Sequence, residues 1–397
     1  MTPSILLNPG REKTILRRHP WIFSGALKSV LGDPAPGATV EVRSADNTLL
    51  GHASWSPESQ ICGRVWSFDP AETIDADFFR RRIRRAIALR NELGLNAADG
   101  GCRLIASEAD GLPGLIADRY GDFAVIQVLS AGAEFHKATI AAILLEESGC
   151  RGVYERSDVA IRAREGLAEC TGLLAGEEPP PAITITENGV RFEIDIRHGH
   201  KTGFYLDQRL NRAAVARYAA GKEMLNCFAY TGGFAVAALA AGAKHAVNVD
   251  SSSPALTGAV RNFELNGIAA ERYENITSDV FAELRKFRDR ARTFDLIVLD
   301  PPKFVDSKNA LMRGCRAYQD IARLAFLLLR PGGMLFTFSC SGLLSAELFQ
   351  KVTADAALDA GVEAVIVGHL EQAPDHPTAL AVPESFYLKG LAVKKIF

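Results

Sequence analysis

A chain of 397 residues, 48% hydrophobic with a formal net charge of -2, exceeds the ~250 to 300 residues at which a single core stops growing, so two or three domains are expected. No stretch nears the ~18 unbroken apolar residues a membrane helix needs, and the start, Met1-Thr-Pro-Ser-Ile-Leu-Leu-Asn-Pro-Gly10, lacks the basic segment and long apolar run of a signal peptide. Seven scattered cysteines with no Cys-x-x-Cys spacing argue against a disulfide framework and a structural zinc site, and a cytoplasmic protein is the simplest reading.

The first 90 residues carry 13 Lys/Arg against 9 Asp/Glu, so the rest is net negative. A polyanion can bind locally, although the total does not demand it. Short apolar stretches at 38–43, 49–54 and 61–68, cut by turn residues, predict a small β-rich domain over 1–72. Its entry, from Arg11 to Gly25, interleaves cations with Trp21 and Phe23. Two readings stay open there: a surface touching phosphates and bases, or core aromatics beside solvated arginines.

From 77 to 93 the pattern turns helical. Phe79, Ile83, Ile87 and Arg90 share a stripe, with Arg80, Arg81, Arg84 and Arg85 stacked in i, i+4 pairs beside it. This basic helix either contacts RNA or presents a solvated charged face. Strands at 103–107, 114–117, 123–129 and 152–156, with a helix at 134–147, predict a compact α+β middle domain over 73–180, closed by the Pro-rich connector 176–181. No internal repeat is evident.

The third domain, 181–397, opens with a hairpin over 182–196 whose turn is Asn188-Gly189, a strong short-range hairpin signal. Nearby His198-Gly-His200 has no acidic or cysteine partner at ligand spacing, so it reads as a turn and no metal is expected. Beyond it strands (223–228, 246–250, one ending at 276, 294–300, 334–340) alternate with helices (234–241, 254–266, 280–290, 317–329, 345–359). Such alternation predicts an α/β fold, a mostly parallel sheet with helices on both faces.

In such sheets ligands bind where strands end. The first strand runs into Ala229-Tyr-Thr-Gly-Gly-Phe234, where Gly232 and Gly233 let backbone approach a ligand and a helix N-terminus offers unpaired N–H groups. Eighteen residues past Gly232, Asp250 ends the next strand and can accept hydrogen bonds from ribose hydroxyls. Asp279, after the third strand, either binds an adenine amino group or caps the helix beginning at Val280. NAD and S-adenosylmethionine share these features. The later strand ends decide between them: Leu296 to Leu299 runs into Asp300-Pro-Pro-Lys-Phe304, and Phe336 to Ser339 into Cys340-Ser-Gly, for which a dehydrogenase has no evident use.

These residues resemble one family, the bacterial 23S ribosomal RNA cytosine-C5 methyltransferases of the large-subunit methyltransferase I type. His19-Pro-Trp-Ile-Phe-Ser-Gly25 is similar to that family's PUA entry, and Lys201-Thr-Gly-Phe-Tyr-Leu-Asp-Gln-Arg209 to the motif before its cofactor fold. Asn226 to Gly233, Asp300 to Phe304 and Ser339-Cys-Ser341 resemble its motifs I, IV and VI. The resemblance implies an N-terminal PUA domain, a middle domain and a class I Rossmann-like domain using S-adenosyl-L-methionine. It extends the cofactor set to Lys201, Gln208, Phe228, Tyr230 and Thr231, alongside Gly232, Gly233, Asp250, Asp279 and Asp300. The implied partner is 23S rRNA or a large-subunit precursor, with no membrane and no metal, and a homo-oligomer is compatible with the sequence.

Chemistry independently supports Cys340. Carbon 5 of cytosine is too weak a nucleophile to take a methyl group directly, so a soft nucleophile must first add to carbon 6. Asp300 would stabilise the charge that develops on the N3 edge. The alternative for Cys340 is a small buried residue closing a strand, the role expected of Cys227. Many RNA cytosine-C5 methyltransferases carry a second cysteine after the motif IV proline, where this chain has Pro302-Lys303, so the base that takes the carbon-5 proton is unassigned. Two rivals remain: a guanine-N7 methyltransferase, which needs no thiol, and a noncatalytic RNA-binding assembly factor.

Overall fold

The structure is a computed structural model that describes residues 2–396. The described residues divide into two compact units, one lying within Met1–Ile185, Ile194–Leu206 and Pro374–Ser385, the other within Thr186–Glu193, Asp207–Ala373 and Phe386–Phe397.

The first unit holds two sheets. Strands β1 (Ser4–Leu7), β2 (Trp21–Phe23), β3 (Leu27–Leu31), β4 (Thr39–Arg43), β5 (Leu49–Trp55) and β6 (Ile61–Ser67) form a six-stranded sheet in the order β2-β6-β5-β4-β1-β3. Alternate residues Val40 and Val42 point into its core beside Ile5, Ile22, Ala53 and Val65, the period-2 pattern of a sheet with one dry face. A short helix, α1 (Glu12–Leu16), follows β1. The second sheet, β11-β10-β9-β8-β7, comprises β7 (Gly101–Ala106), β8 (Leu115–Tyr120), β9 (Phe123–Val128), β10 (Gly152–Ser157) and β11 (Cys170–Gly176). Helix α2 (Ala76–Glu92) starts at Asp75, whose carboxylate accepts from the Phe78 N–H, and buries Phe79, Ile83 and Ile87 in this sheet's core. Short α3 (Ala131–Phe135) and α4 (Lys137–Ser148) complete it.

The stripe on α2 hides one charge completely. Arg90 is 0% exposed and makes a bidentate pair with Asp110 at 2.7 and 2.9 Å, as a buried guanidinium must be fully hydrogen-bonded. The other arginines are also engaged: Arg80 with Glu146 and Glu147, Arg84 with Glu147, Arg81 and Arg82 with Glu72. These largely solvent-facing pairs are screened by water and add little to stability. They answer the basic face of α2 with carboxylates of the same unit.

A hairpin, β12 (Ile183–Glu187) and β13 (Val190–Ile194), turns through Asn188 at φ 51° and Gly189 at φ 78°, the two left-handed residues that a twisted two-residue hairpin needs.

The second unit is built on β14 (Glu223–Cys227), β15 (His245–Asp250), β16 (Tyr273–Thr277), β17 (Phe294–Leu299), β18 (Leu329–Ser339), β19 (Ala364–Glu371) and β20 (Lys389–Lys395), ordered β16-β15-β14-β17-β18-β20-β19. The first five in this order are parallel; β20 is antiparallel to both its neighbours. Crossover helices are α6 (Gly233–Ala240), α7 (Ser253–Leu265), α8 (Val280–Asp289), α9 (Leu311–Leu328) and α10 (Ala346–Asp359), with α5 (Arg209–Ala216) ahead of β14. Ser252, Asp279 and Ser345 each accept a hydrogen bond from an N–H of the helix they start, so α7, α8 and α10 begin on side-chain caps. One face buries Leu225, Val247, Ile297 and Leu335 against Leu284, Phe287, Ile321 and Ala325. On the other face Asn226, Asn248 and Asn275 sit in register, joined by amide hydrogen bonds of 3.0 Å. That ladder fixes strand register, so β14, β15 and β16 end at matched heights. No helix among the described residues is long and apolar enough to cross a membrane.

Candidate active site and cofactor cradle

The strand order reverses between β14 and β17, the switch point where α/β sheets open a crevice. Past β14 the chain makes a strained turn: Phe228 (φ 59°), Tyr230 (φ 49°) and Gly232 (φ 75°) are all left-handed. Non-glycine residues rarely hold that conformation unless their surroundings enforce it. The enforcing contacts come from Asp250, at the end of β15, whose two oxygens accept the Tyr230 and Ser252 N–H groups at 2.8 Å each. Asp250 thus ties two strand-end turns together while its remaining lone pairs stay available to hydroxyls. At Gly232 a Cβ would lie 3.0 Å from the Ala259 Cβ, a tight approach of α6 to α7, and its left-handed backbone favours glycine.

Two features fit a polar ligand in this cradle. Helix α6 begins without a side-chain cap, leaving its first-turn N–H groups for an outside acceptor. Among the described residues the buried Thr231 hydroxyl also has no hydrogen-bond partner, a deficit that a bound polar group would make good. Asp279 caps α8 through Oδ1, which accepts from Ala282 N at 2.9 Å. The Phe304 ring, after β17, lies 6.2 Å from Phe228, 5.8 Å from Phe281 and 4.8 Å from Tyr318, an aromatic wall suited to a flat ring.

Asp300 follows β17 and Cys340 follows β18. The two strands are adjacent and parallel, Leu299 opposite Thr337, so a carboxylate and a thiol leave neighbouring strand ends, both half-buried. The segment carrying the thiol is held on three sides. Ser339 donates to the Tyr318 hydroxyl at 2.9 Å, the Tyr318 and Ser341 hydroxyls are 3.0 Å apart, and the Val305 N–H donates to the Ser341 hydroxyl at 3.2 Å. Burial raises the Tyr318 phenol's pKa, keeping it a neutral hydrogen-bonding clamp. From β20, Lys389 Nζ donates to the Ser341 carbonyl at 2.7 Å. Of the seven cysteines only Cys170 and Cys340 are partly exposed. Cys227 is fully buried, which pushes its thiol far up in pKa and makes it a packing residue.

The second unit therefore brings Phe228, Tyr230, Thr231, Gly232, Gly233, Asp250, Asp279, Asp300 and Cys340 to the ends of five consecutive parallel strands. Gln208 is not at a strand end; it is buried at the start of α5 and accepts from the Asn211 amide at 2.5 Å. Lys201 belongs to the first unit, where its ammonium lies 4.5 Å from the Tyr205 ring centroid. Tyr318 and Lys389 escaped the sequence reading. Neither stands in a motif, and each reaches the Ser339–Ser341 segment across 21 or more residues of chain.

Elsewhere, Trp21 donates from Nε1 to Glu108 at 2.9 Å, while Phe23 is 49% exposed. Both line a recess of about 220 Å³ with Arg11 and Thr14, so this edge of the first unit presents aromatic and basic groups together. Glu134, Glu155 and Cys170 converge at metal-ligand spacing, but the Lys137 ammonium lies 2.6 Å from Glu134 and 3.1 Å from Glu155 and takes the place of a cation.

Comparison with known proteins agrees with this layout. A family model described as S-adenosylmethionine-dependent methyltransferase matches residues 157–389, and one described as PUA-like domain matches residues 5–68. The chain is 54% identical over 394 residues to "Ribosomal RNA large subunit methyltransferase I" of Aeromonas salmonicida (99% of this chain, 100% of the relative). It is 52% identical over 396 residues to the protein of that name from Vibrio cholerae (99% and 100%). Among solved structures, one titled "A putative sam-dependent methyltransferase from Streptococcus mutans" superposes with a TM-score of 0.84 at 23% identity, covering 98% of this chain and 99% of the other. A second, titled as a "putative methyltransferase complexed with SAH", gives the same TM-score and coverage.

Proposed function

Because the chain belongs to the ribosomal RNA large subunit methyltransferase I family of S-adenosylmethionine-dependent enzymes, we propose that it methylates carbon 5 of a cytosine in 23S rRNA through a covalent adduct with Cys340. The observation that carries this reading is the placement of Cys340 and Asp300 on adjacent strand ends, in the sheet that also carries the glycine turn.

When bound, S-adenosylmethionine supplies an electrophilic methyl group on a sulfonium. Its adenosine would be held by Asp250 and Asp279, its amino-acid end by the first-turn N–H groups of α6 and the Thr231 hydroxyl. Cys340 as thiolate adds to carbon 6, forming the S–C6 bond and breaking the C5=C6 double bond. Asp300 gives a proton to N3 as charge moves there. Carbon 5 is then electron-rich enough to take the methyl group, whose bond to the sulfonium sulfur would break to leave a neutral thioether. Removal of the carbon-5 proton re-forms the double bond and expels the thiolate, and N3 returns its proton to Asp300. A stacked base exposes neither ring face, so the target must be unpaired or flipped out; Phe304 and its aromatic neighbours suit a planar ring. The Arg11, Trp21 and Phe23 edge suits the RNA around it, and a cytoplasmic location goes with such a substrate.

The direct test is methyl transfer from labelled S-adenosylmethionine to 23S rRNA from an undermethylated strain, followed by nucleoside analysis. The expected product is 5-methylcytidine. A product of 7-methylguanosine would replace this reading with the N7 enzyme, which has no use for the Cys340 thiol; cofactor binding without any product would favour an assembly factor.

A further inference from the structure

Strand β20 carries two buried lysines, and they are not alike. At one end Lys395, 8% exposed, donates to two backbone carbonyls, Phe326 at 2.9 Å and Leu329 at 2.7 Å. That is a structural tether. At the other end Lys389, 5% exposed, donates to the Ser341 carbonyl alone, and no carboxylate pairs with it among the described residues. Cys340 stands between Ser339, the ladder partner of Lys389, and Ser341, whose carbonyl the ammonium binds.

A buried ammonium without an anion is costly, and in such places lysine gives up its proton. Burial lowers the Lys389 pKa to about 8, with the Cys340 sulfur pulling the other way. Other ionisable groups are near. Glu347 of α10 and His369 and Glu371 of β19 line, with Lys389 and Phe386, a recess of about 410 Å³. His369 and Glu371 are exposed to solvent, and none of the three forms an ion pair with the ammonium. Tyr318, from α9, stays neutral. Asp300 stands on the neighbouring strand end; on the Ser339–Ser341 segment that the amine is anchored to, the thiol is the acidic group that can pass it a proton.

We propose that Lys389 is a positioning residue for the Cys340 nucleophile: anchored on the Ser341 carbonyl, its amine takes up the thiol proton and the resulting ammonium holds the thiolate. The proposal rests on the reading of Cys340 as the nucleophile. The proton balance is simple: amine and thiol become ammonium and thiolate, with no change in total charge. When the thiolate adds to carbon 6 the S–C6 bond uses its electron pair, and the ammonium remains. When the thiolate is expelled, it returns to the same counter-charge. Lys389 is thus distinct from the still unassigned base that removes the carbon-5 proton.

The test is the pH dependence of iodoacetamide alkylation at Cys340 in the full-length protein, read peptide by peptide by mass spectrometry. In the wild type the Cys340 midpoint is expected below the ~8.5 of an ordinary thiol, while Cys170, raised by burial and the adjacent Glu155, titrates above it. Lys389→Met is expected to move the Cys340 midpoint up by about one pH unit or more, leaving Cys170 where it was, and Lys389→Arg to bring it back down. A Lys389→Met curve superposed on the wild type overturns the proposal. If Lys389→Met does not fold, the wild-type curve decides alone: a Cys340 midpoint at or above the ordinary thiol value overturns it equally. No RNA or methyl transfer enters this measurement, so a shifted curve with no 5-methylcytidine formed sinks only the functional reading, and an unshifted curve with 5-methylcytidine formed sinks only the role of Lys389.

Discussion

Cys340→Ala is expected to cut 5-methylcytidine formation about 10,000-fold or more, the scale on which removing a covalent nucleophile acts. S-adenosylmethionine affinity is expected to stay within a few-fold, because the cradle at Phe228 to Gly233 and Asp250 is held by its own contacts: Asp250 to the Tyr230 and Ser252 N–H groups, and the close approach of Gly232 to Ala259. Cys340 is half-exposed and on a segment already clamped by Tyr318, Val305 and Lys389. Losing one sulfur there leaves no large cavity, so folding should survive. Activity by single-turnover assay, with cofactor binding by calorimetry as control, separates the two. Retained turnover would make the thiol a packing group like Cys227 and leave carbon 5 without activation.

The second large effect is expected at Asp300. Asp300→Asn keeps size and shape but loses the ability to pass a proton to N3, so kcat should fall about 100- to 1,000-fold. The amide still accepts hydrogen bonds, so cofactor affinity should change by less than about tenfold, the scale of one hydrogen bond. A loss confined to KM, with kcat intact, would move Asp300 from proton transfer to substrate or cofactor binding.

Much of this was legible because local signals and fold agree. Asn188-Gly189 announced the hairpin, and the alternation of short apolar runs with helices announced the parallel sheet. Asp250, Asp300 and Cys340 could be placed at strand ends because each stands where an apolar run stops. What lay beyond reach depends on distant partners. Strands β19 and β20 were not anticipated: the run from Ala364 to Glu371 holds Gly368, and Val365, Ile366 and Val367 are exposed on an edge, so no alternation marks them. With β20 went Lys389, a lysine near a lysine-rich C-terminus whose partner lies 48 residues away. The arginines of α2 were open between RNA and solvent; they meet Glu72, Glu146 and Glu147, which sequence spacing could not pair with them. Asp279 was open in sequence between an adenine contact and a helix cap, and its cap on α8 engages Oδ1. The left-handed Phe228 and Tyr230 had no sequence mark, since aromatic residues seldom adopt that conformation.

The central claim is a covalent bond between Cys340 and a cytosine carbon 6, and the most direct measurement is to trap it. A 23S rRNA fragment carrying 5-fluorocytidine at the methylated position can accept the thiolate and the methyl group, but carbon 5 then has no proton to lose, so the adduct cannot be released. Incubated with S-adenosylmethionine and digested, the protein is expected to yield a peptide with Cys340 bound to a methylated fluorocytidine, and none when Cys340 is replaced by alanine. A protein that turns over ordinary 23S rRNA yet forms no adduct, or forms it at another residue, would contradict the account.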